Sequence, residues 1–459
     1  MNRSASALTA AFTAVFLSTT ASAQGAWTRL SPAVEPSLRG GMSLSSDGSS
    51  LLMFGGQTSG TVFLDELWRF DGTNWTNITP TTGSPAPRDW HGQAFDLGRG
   101  KLIVFGGRDQ GGPMSDTWEF DGTTWTQLSP ITVPPARFSP AICYDIVRGR
   151  IVMFGGAAGS MTLNDTWEWD GTNWNQITTA NSPLPRQKHR MVFDLRRNLT
   201  VMHGGNLGAG QGRSTETWTY DGTDWTVVAG AAAPFGTGLE NYGMAYDLVR
   251  GRSIINGGLN NSYRSKTWDW DGSNWLDRGN FLSTGLTART GQAMEYLQST
   301  GKVYQFGGFA ASTFVSETYE WSTPTVAQFQ TVGTGCPSSR GLPVLATTTA
   351  PWGGDPFTLT VANLGSNMLS FMLIGLSNTQ WAGGSLPQSL AILGAPSCTL
   401  DTSIDIGLPG LVQFGEARYT LTIPDDPALY GATIYAQGLC YEGFTLFTTA
   451  RGDITIGGY

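Results

Sequence analysis

HGQAFDLGRGKLIVFGGRDQGGPMSDTWEFDGTTWTQLS, residues 91–129, contains four strand-length phrases separated by turn residues: HGQAFDL, KLIVFGG, DTWEFDG and WTQLS. Apolar and polar residues alternate in the last two, and β-branched and aromatic residues are enriched throughout, which favours strands over helix. Asp121-Gly122 marks a tight hairpin, where glycine meets backbone angles that a Cβ resists. The phrase recurs. Its glycine pairs fall at Gly55-Gly56, Gly106-Gly107, Gly155-Gly156, Gly204-Gly205, Gly257-Gly258 and Gly307-Gly308, a period near 50 residues, and its Asp-Gly returns at Asp71, Asp170, Asp221 and Asp271. Such a unit cannot bury both faces alone, but six copies arranged radially pack face on face, which predicts an all-β, six-bladed propeller.

The glycine pair and the two tryptophans of each copy (Trp68/Trp75, Trp118/Trp125, Trp167/Trp174, Trp218/Trp225, Trp268/Trp275) resemble the kelch repeat family, over roughly Ala26 to Trp321. The resemblance implies a propeller whose aromatic residues pack between blades. The sixth copy ends at Trp321 without its last strand, and Ala26-Trp27-Thr28-Arg29-Leu30 matches Asn74-Trp75-Thr76-Asn77-Ile78. The amino-terminal strand is therefore expected to complete the last blade and close the ring, leaving no exposed sheet edge.

An arginine precedes the first strand of five copies, at Arg39, Arg88, Arg137, Arg186 and Arg289, and an acid stands two residues before the first repeat aromatic at Glu66, Asp116, Asp165, Glu216 and Glu317. The fifth copy lacks both, with Leu239, Glu240 and Lys266 in their place, and Glu240 with Lys266 reads as the same pair with its charges exchanged. Joint loss favours a structural ion pair within each blade. The functional reading is that these arginines, with His91 and His189 on the first strands, offer donors at the channel mouth to a carboxylate or sulfate. His203 replaces the phenylalanine of a Phe-Gly-Gly phrase and reads as a tolerated substitution. Trp169 and Trp270 read as core, and Trp90 is extra to the repeat.

Residues 324–459 have short apolar segments such as FTLTVANL, LSFMLIGL, RYTLTIP and ATIYAQGL between turns, which predicts a β-sandwich. Gly335-Cys336, the Pro424–Pro427 turn and Tyr435-Ala436-Gln437 resemble β-rich tail modules that follow repeat domains in some secreted bacterial proteins. Asp425 and Asp426 are too few acids for calcium, which needs more oxygen ligands.

Residues 1–23 read as a signal peptide ending at Ala21-Ser22-Ala23, so the propeller begins at residue 24 and runs to 323. The apolar run from Ala7 to Leu17 is too short to span a membrane. Export permits disulfides; Cys336 with Cys398 is the expected pair, while Cys143 reads as a buried hydrophobe. Three histidines and no Cys-x-x-Cys leave no metal site, and no cofactor is implied. A net charge of −8 disfavours nucleic acid and anionic membranes as partners. No Ser-His-Asp or Cys-His set is visible. The leading expectation is an exported, non-enzymatic binding protein for an extracellular protein or glycan. The alternative is a sugar mutarotase or epimerase of the sialic-acid type, as in some exported kelch proteins, which would use Glu240 with Arg137 or Arg186.

Overall fold

A computed structural model describes residues 25–456 apart from 209, 232, 279–285, 323–327, 337–341, 348–350, 352, 354, 355, 366, 367, 382, 383, 391–394, 414, 424–428, 430, 443 and 444. The signal-like segment 1–23 and the Asp425-Asp426 turn lie outside these residues. The chain forms two compact units, one over Ala26–Ser322 and one containing Thr323–Tyr459.

In the first unit, six four-stranded antiparallel sheets are found among the described residues. Their inner strands are Ser43–Ser46, Gly92–Asp96, Ala141–Asp145, Arg190–Asp194, Gly243–Asp247 and Ala293–Leu297. Each inner strand touches the next, and the last touches the first. The sixth sheet takes its outer strand from Ala26–Arg29, which pairs antiparallel with Thr318–Ser322 in the register Trp27↔Trp321. Trp27 is buried there, and its indole N–H donates to Thr267 Oγ1 of the fifth blade at 2.9 Å.

The glycine pair has a specific task at each junction between blades. A Cβ on Gly155 would lie 2.6 Å from the carbonyl oxygen of Arg186 in the following blade, and Gly155 also needs a φ of 60°. Gly156 N–H donates to that same carbonyl at 2.9 Å. Equivalent bonds run from Gly56, Gly107, Gly205, Gly258 and Gly308 to the next blade, with Gly308 reaching Arg39 of the first. The second tryptophan works at the same junctions: Trp75, Trp125, Trp174 and Trp225 each pack at a steep tilt of 55–61° against the phenylalanine before the preceding blade's glycine pair, with centroids 5.1–5.2 Å apart. In the next copy Trp275 meets His203, whose Nδ1 lies 3.0 Å from Thr217 Oγ1. Trp169 and Trp270 are buried, as expected of core.

A second ring lies inside the first. Gly41, Trp90, Ser139, Lys188, Asn241 and Gly291, one per blade, all have left-handed backbone, with φ between 51° and 71°. Each amide donates to the carbonyl of the residue before it in this cycle, at 2.7–3.2 Å, and Gly41 donates to Gly291. The Trp90 indole lies over this ring: a Cβ on Gly41 or Gly291 would meet it at 3.0 or 3.1 Å.

The second unit holds a five-stranded and a four-stranded antiparallel sheet. Leu359 and Tyr419 from one and Met372 and Ala436 from the other share one apolar core. Cys336 and Cys398 form a disulfide, and Cys143 and Cys440 are buried free thiols.

Trp27→Ala removes a buried indole and the bond that ties the outer strand of the sixth sheet to the fifth. It is expected to cost about 3–5 kcal/mol of unfolding free energy in denaturant titrations. A loss below about 1 kcal/mol would show that this strand contributes little to the ring.

Candidate functional site

The five arginines are drawn into one repeated bracket that takes up their donors inside the fold. Each guanidinium is buried, as its five-donor fork requires partners. Arg137 Nε donates to Pro135 O at 3.0 Å, Nη1 to Gly155 O at 2.9 Å, and both terminal nitrogens to the Asp165 carboxylate at 2.7 Å. Arg88 repeats this with Ala86, Gly106 and Asp116. Arg39, Arg186 and Arg289 pair with Glu66, Glu216 and Glu317 at 2.5, 2.8 and 2.6 Å. The first repeat tryptophan completes the bracket: Trp118 and Trp167 donate to Asp116 and Asp165 at 2.7 Å. Burial works against ionisation of Asp116 and Asp165, but hydrogen bonds from the arginine and the tryptophan outweigh it and hold both carboxyls below their usual range.

The fifth blade does not exchange the charges. Glu240 pairs with Arg213 of the fourth blade at 3.1 Å, and Lys266 with Asp277 at 2.7 Å. The reason lies in Asn256, which stands where other copies carry phenylalanine or histidine. Its amide donates to the Ser265 and Lys266 carbonyls and to Thr267 Oγ1, bracing the blade without an arginine. The set Glu240, Arg137 and Arg186 is therefore not assembled as a free acid and two free bases. Each is already paired.

His91 and His189 are buried beside the glycine pairs, edge-on to Phe54 and Phe154. Burial pushes His91 down to about 3, with Arg88 adding to it, and holds His189 well below its usual value. Both are neutral at physiological pH, and His91 also lines the well described next.

The inner strands enclose a well of about 250 Å³. Its lining starts just beyond the six-amide ring, at Met42, His91 and Pro140, and ends at Leu97, Ile146, Leu195 and Leu248. These four aliphatics sit at equivalent places in the turns that leave four adjacent inner strands, and each is about 40 % exposed. Each turn is fastened by an aspartate and an arginine three residues on: Asp96–Arg99, Asp145–Arg148, Asp194–Arg197 and Asp247–Arg250. Sequence reading missed this rim, although the repeated phrase Asp-Leu/Ile-x-Arg carries it. Two charged side chains enter the well, Arg190 and Glu295. Burial raises Glu295 to about 7, opposed only by the Tyr296 N–H at 2.9 Å.

Among the described residues, no grouping of three or more His, Cys, Asp or Glu could hold a metal ion, and no helix is long and apolar enough to cross a membrane.

Arg137→Ala strands the Asp165 carboxylate and is expected to cost about 3–5 kcal/mol, read as a lower melting temperature. Because Asp165 titrates below its unfolded value, the bracket's contribution is present at neutral pH and fades as pH falls through the folded value, below about 4. Glu295 has the opposite sign. Its folded value lies above the unfolded one, so its contribution is full below about 4.5 and lost as pH rises to about 7. Glu295→Gln should leave stability unchanged at pH near 4 and raise it by roughly 2 kcal/mol at pH near 8, since the well's water screens part of the penalty.

The chain matches the model of the KLHDC2/KLHL20/DRC7 Kelch-repeats domain over residues 9–143 and 41–229. No curated protein matches it. With the glycine pairs, the paired tryptophans and the four-stranded sheets, this match supports a kelch-repeat family for the repeat-bearing region.

Proposed function

We propose that this is an exported, non-enzymatic binding protein whose propeller docks a protein partner on the aliphatic rim of its well. One observation carries the reading: Leu97, Ile146, Leu195 and Leu248, with Val147 and Val249 beside them, are exposed together on turns that are themselves pinned by ion pairs. Exposed aliphatics gathered on a rigid frame are what a protein interface uses, because burying them is favourable and ordering them costs little. Kelch repeats generally mediate protein–protein interaction, which supports the same reading. A glycan fits the rim less well, since sugar faces stack on exposed aromatic rings and Trp169 and Trp270 are interior. Export rests on the signal-like residues 1–23, and the carboxy-terminal module serves as spacer or second contact surface.

The test places a photo-crosslinking residue at position 146 of the full chain, or at the outer turn position 223 as a control, in cultures of the producing cells. A discrete protein adduct from position 146, absent from 223 and abolished by Leu195→Asp with Leu248→Asp, is the expected outcome. Equal adducts from both positions, or none, would overturn the rim as the docking surface.

A further inference from the structure

Two charged residues that line the well break the repeat, Arg190 and Glu295. At Arg190's place in the inner strand the other copies carry Ser43, Gly92, Ala141, Gly243 and Ala293; at Glu295's place they carry Ser45, Ala94, Cys143, Val192 and Ala245. Small residues suffice to build the channel, so two long charged ones have no packing duty there. Among the described residues, the Arg190 guanidinium has no hydrogen bond or ion pair, and Glu295 accepts only the N–H of Tyr296. An unpaired cation and an unpaired carboxylate confined together are each costly unless something else joins them.

Their placement fits a bridging molecule. Arg190 lies on the fourth blade near the closed end of the well, and Glu295 on the sixth, two residues further toward the rim, or roughly 7 Å along the strand direction. They do not pair with each other, which leaves room for a ligand between them. Arg190 adds to the effects that lower His91 on the second blade, and Glu295 to those that raise Cys143 on the third, so both charges act across the axis. The lining between is mixed, and its apolar part includes Met42, Met191, Met244 and Met294, each at most 5 % exposed. Methionine adapts its shape to a small apolar group.

We propose that the well binds a free aliphatic α-amino acid, with its carboxylate on Arg190, its ammonium on Glu295 and its side chain among the methionines. Carboxylate recognition by a guanidinium and ammonium recognition by a carboxylate are both charge-assisted. The rim is the outer end of the same well, so binding is tested on the chain without a partner.

Isothermal titration of the full chain with L-leucine, L-methionine, isocaproate and isoamylamine tests this. Isocaproate keeps the leucine skeleton without the ammonium, and isoamylamine keeps it without the carboxylate. The amino acids are expected to bind at least about tenfold more tightly than either truncated analogue. Arg190→Gln should abolish binding of leucine and isocaproate, Arg190→Lys should restore part of it, and Glu295→Gln should weaken leucine while leaving isocaproate unchanged. Cooperative melting of each variant shows that it is folded. The proposal falls if neither amino acid binds the wild-type protein up to about 10 mM. It also falls if isocaproate matches leucine, or if folded Arg190→Gln and Glu295→Gln bind leucine as the wild type does.

Discussion

The buried arginine bracket is the constraint on which the propeller rests. In each of five blades a guanidinium holds the carbonyl of its own blade's first glycine, while its own backbone carbonyl receives the N–H of the preceding blade's second glycine. One residue therefore fixes the blade internally and hands it to its neighbour. The close approach at the glycines is possible only because no Cβ intervenes, and the approach is held in register because the arginine cannot leave. Buried ion pairs contribute little net stability compared with apolar packing of the same volume, so the bracket's value lies in geometry. The core tryptophans and phenylalanines supply the cohesive energy between blades.

Much of this was legible in the sequence because a repeat shows what each position must do. Arginine and acid vanish together in the fifth copy, and the pairing of Arg88 with Asp116 follows from that absence as much as from their presence elsewhere. The disulfide between Cys336 and Cys398 was legible too. The fate of Glu240 was not, because its partner Arg213 takes a hairpin position that holds phenylalanine, proline, threonine or tyrosine in the other copies, and Asn256 does the work of an arginine from a different segment. Trp90 was also opaque. Its place over Gly41 and Gly291 depends on three blades meeting at the axis, and no local pattern announces that.

The candidate site shows how repetition hides function as well as revealing it. Side chains that recur around the ring, such as the bracket arginines, turn out to be architecture, and their recurrence is the reason. Those that break the pattern at one blade have no architectural reason to be there. Arg190 and Glu295 belong to this second group, whereas the exposed aliphatics of the rim recur and yet are not buried, a combination that packing does not require.

The six-amide ring has an electrostatic corollary. Every N–H in it points to the next carbonyl around a circle, so the bond dipoles run head to tail and cancel along the axis. Unlike the terminus of a helix, which presents a fixed partial charge to whatever approaches it, this lid is polar in composition and neutral in effect. Selection by charge at the bottom of the cavity is thereby left to individual side chains, and a single substitution can invert it without disturbing the closure.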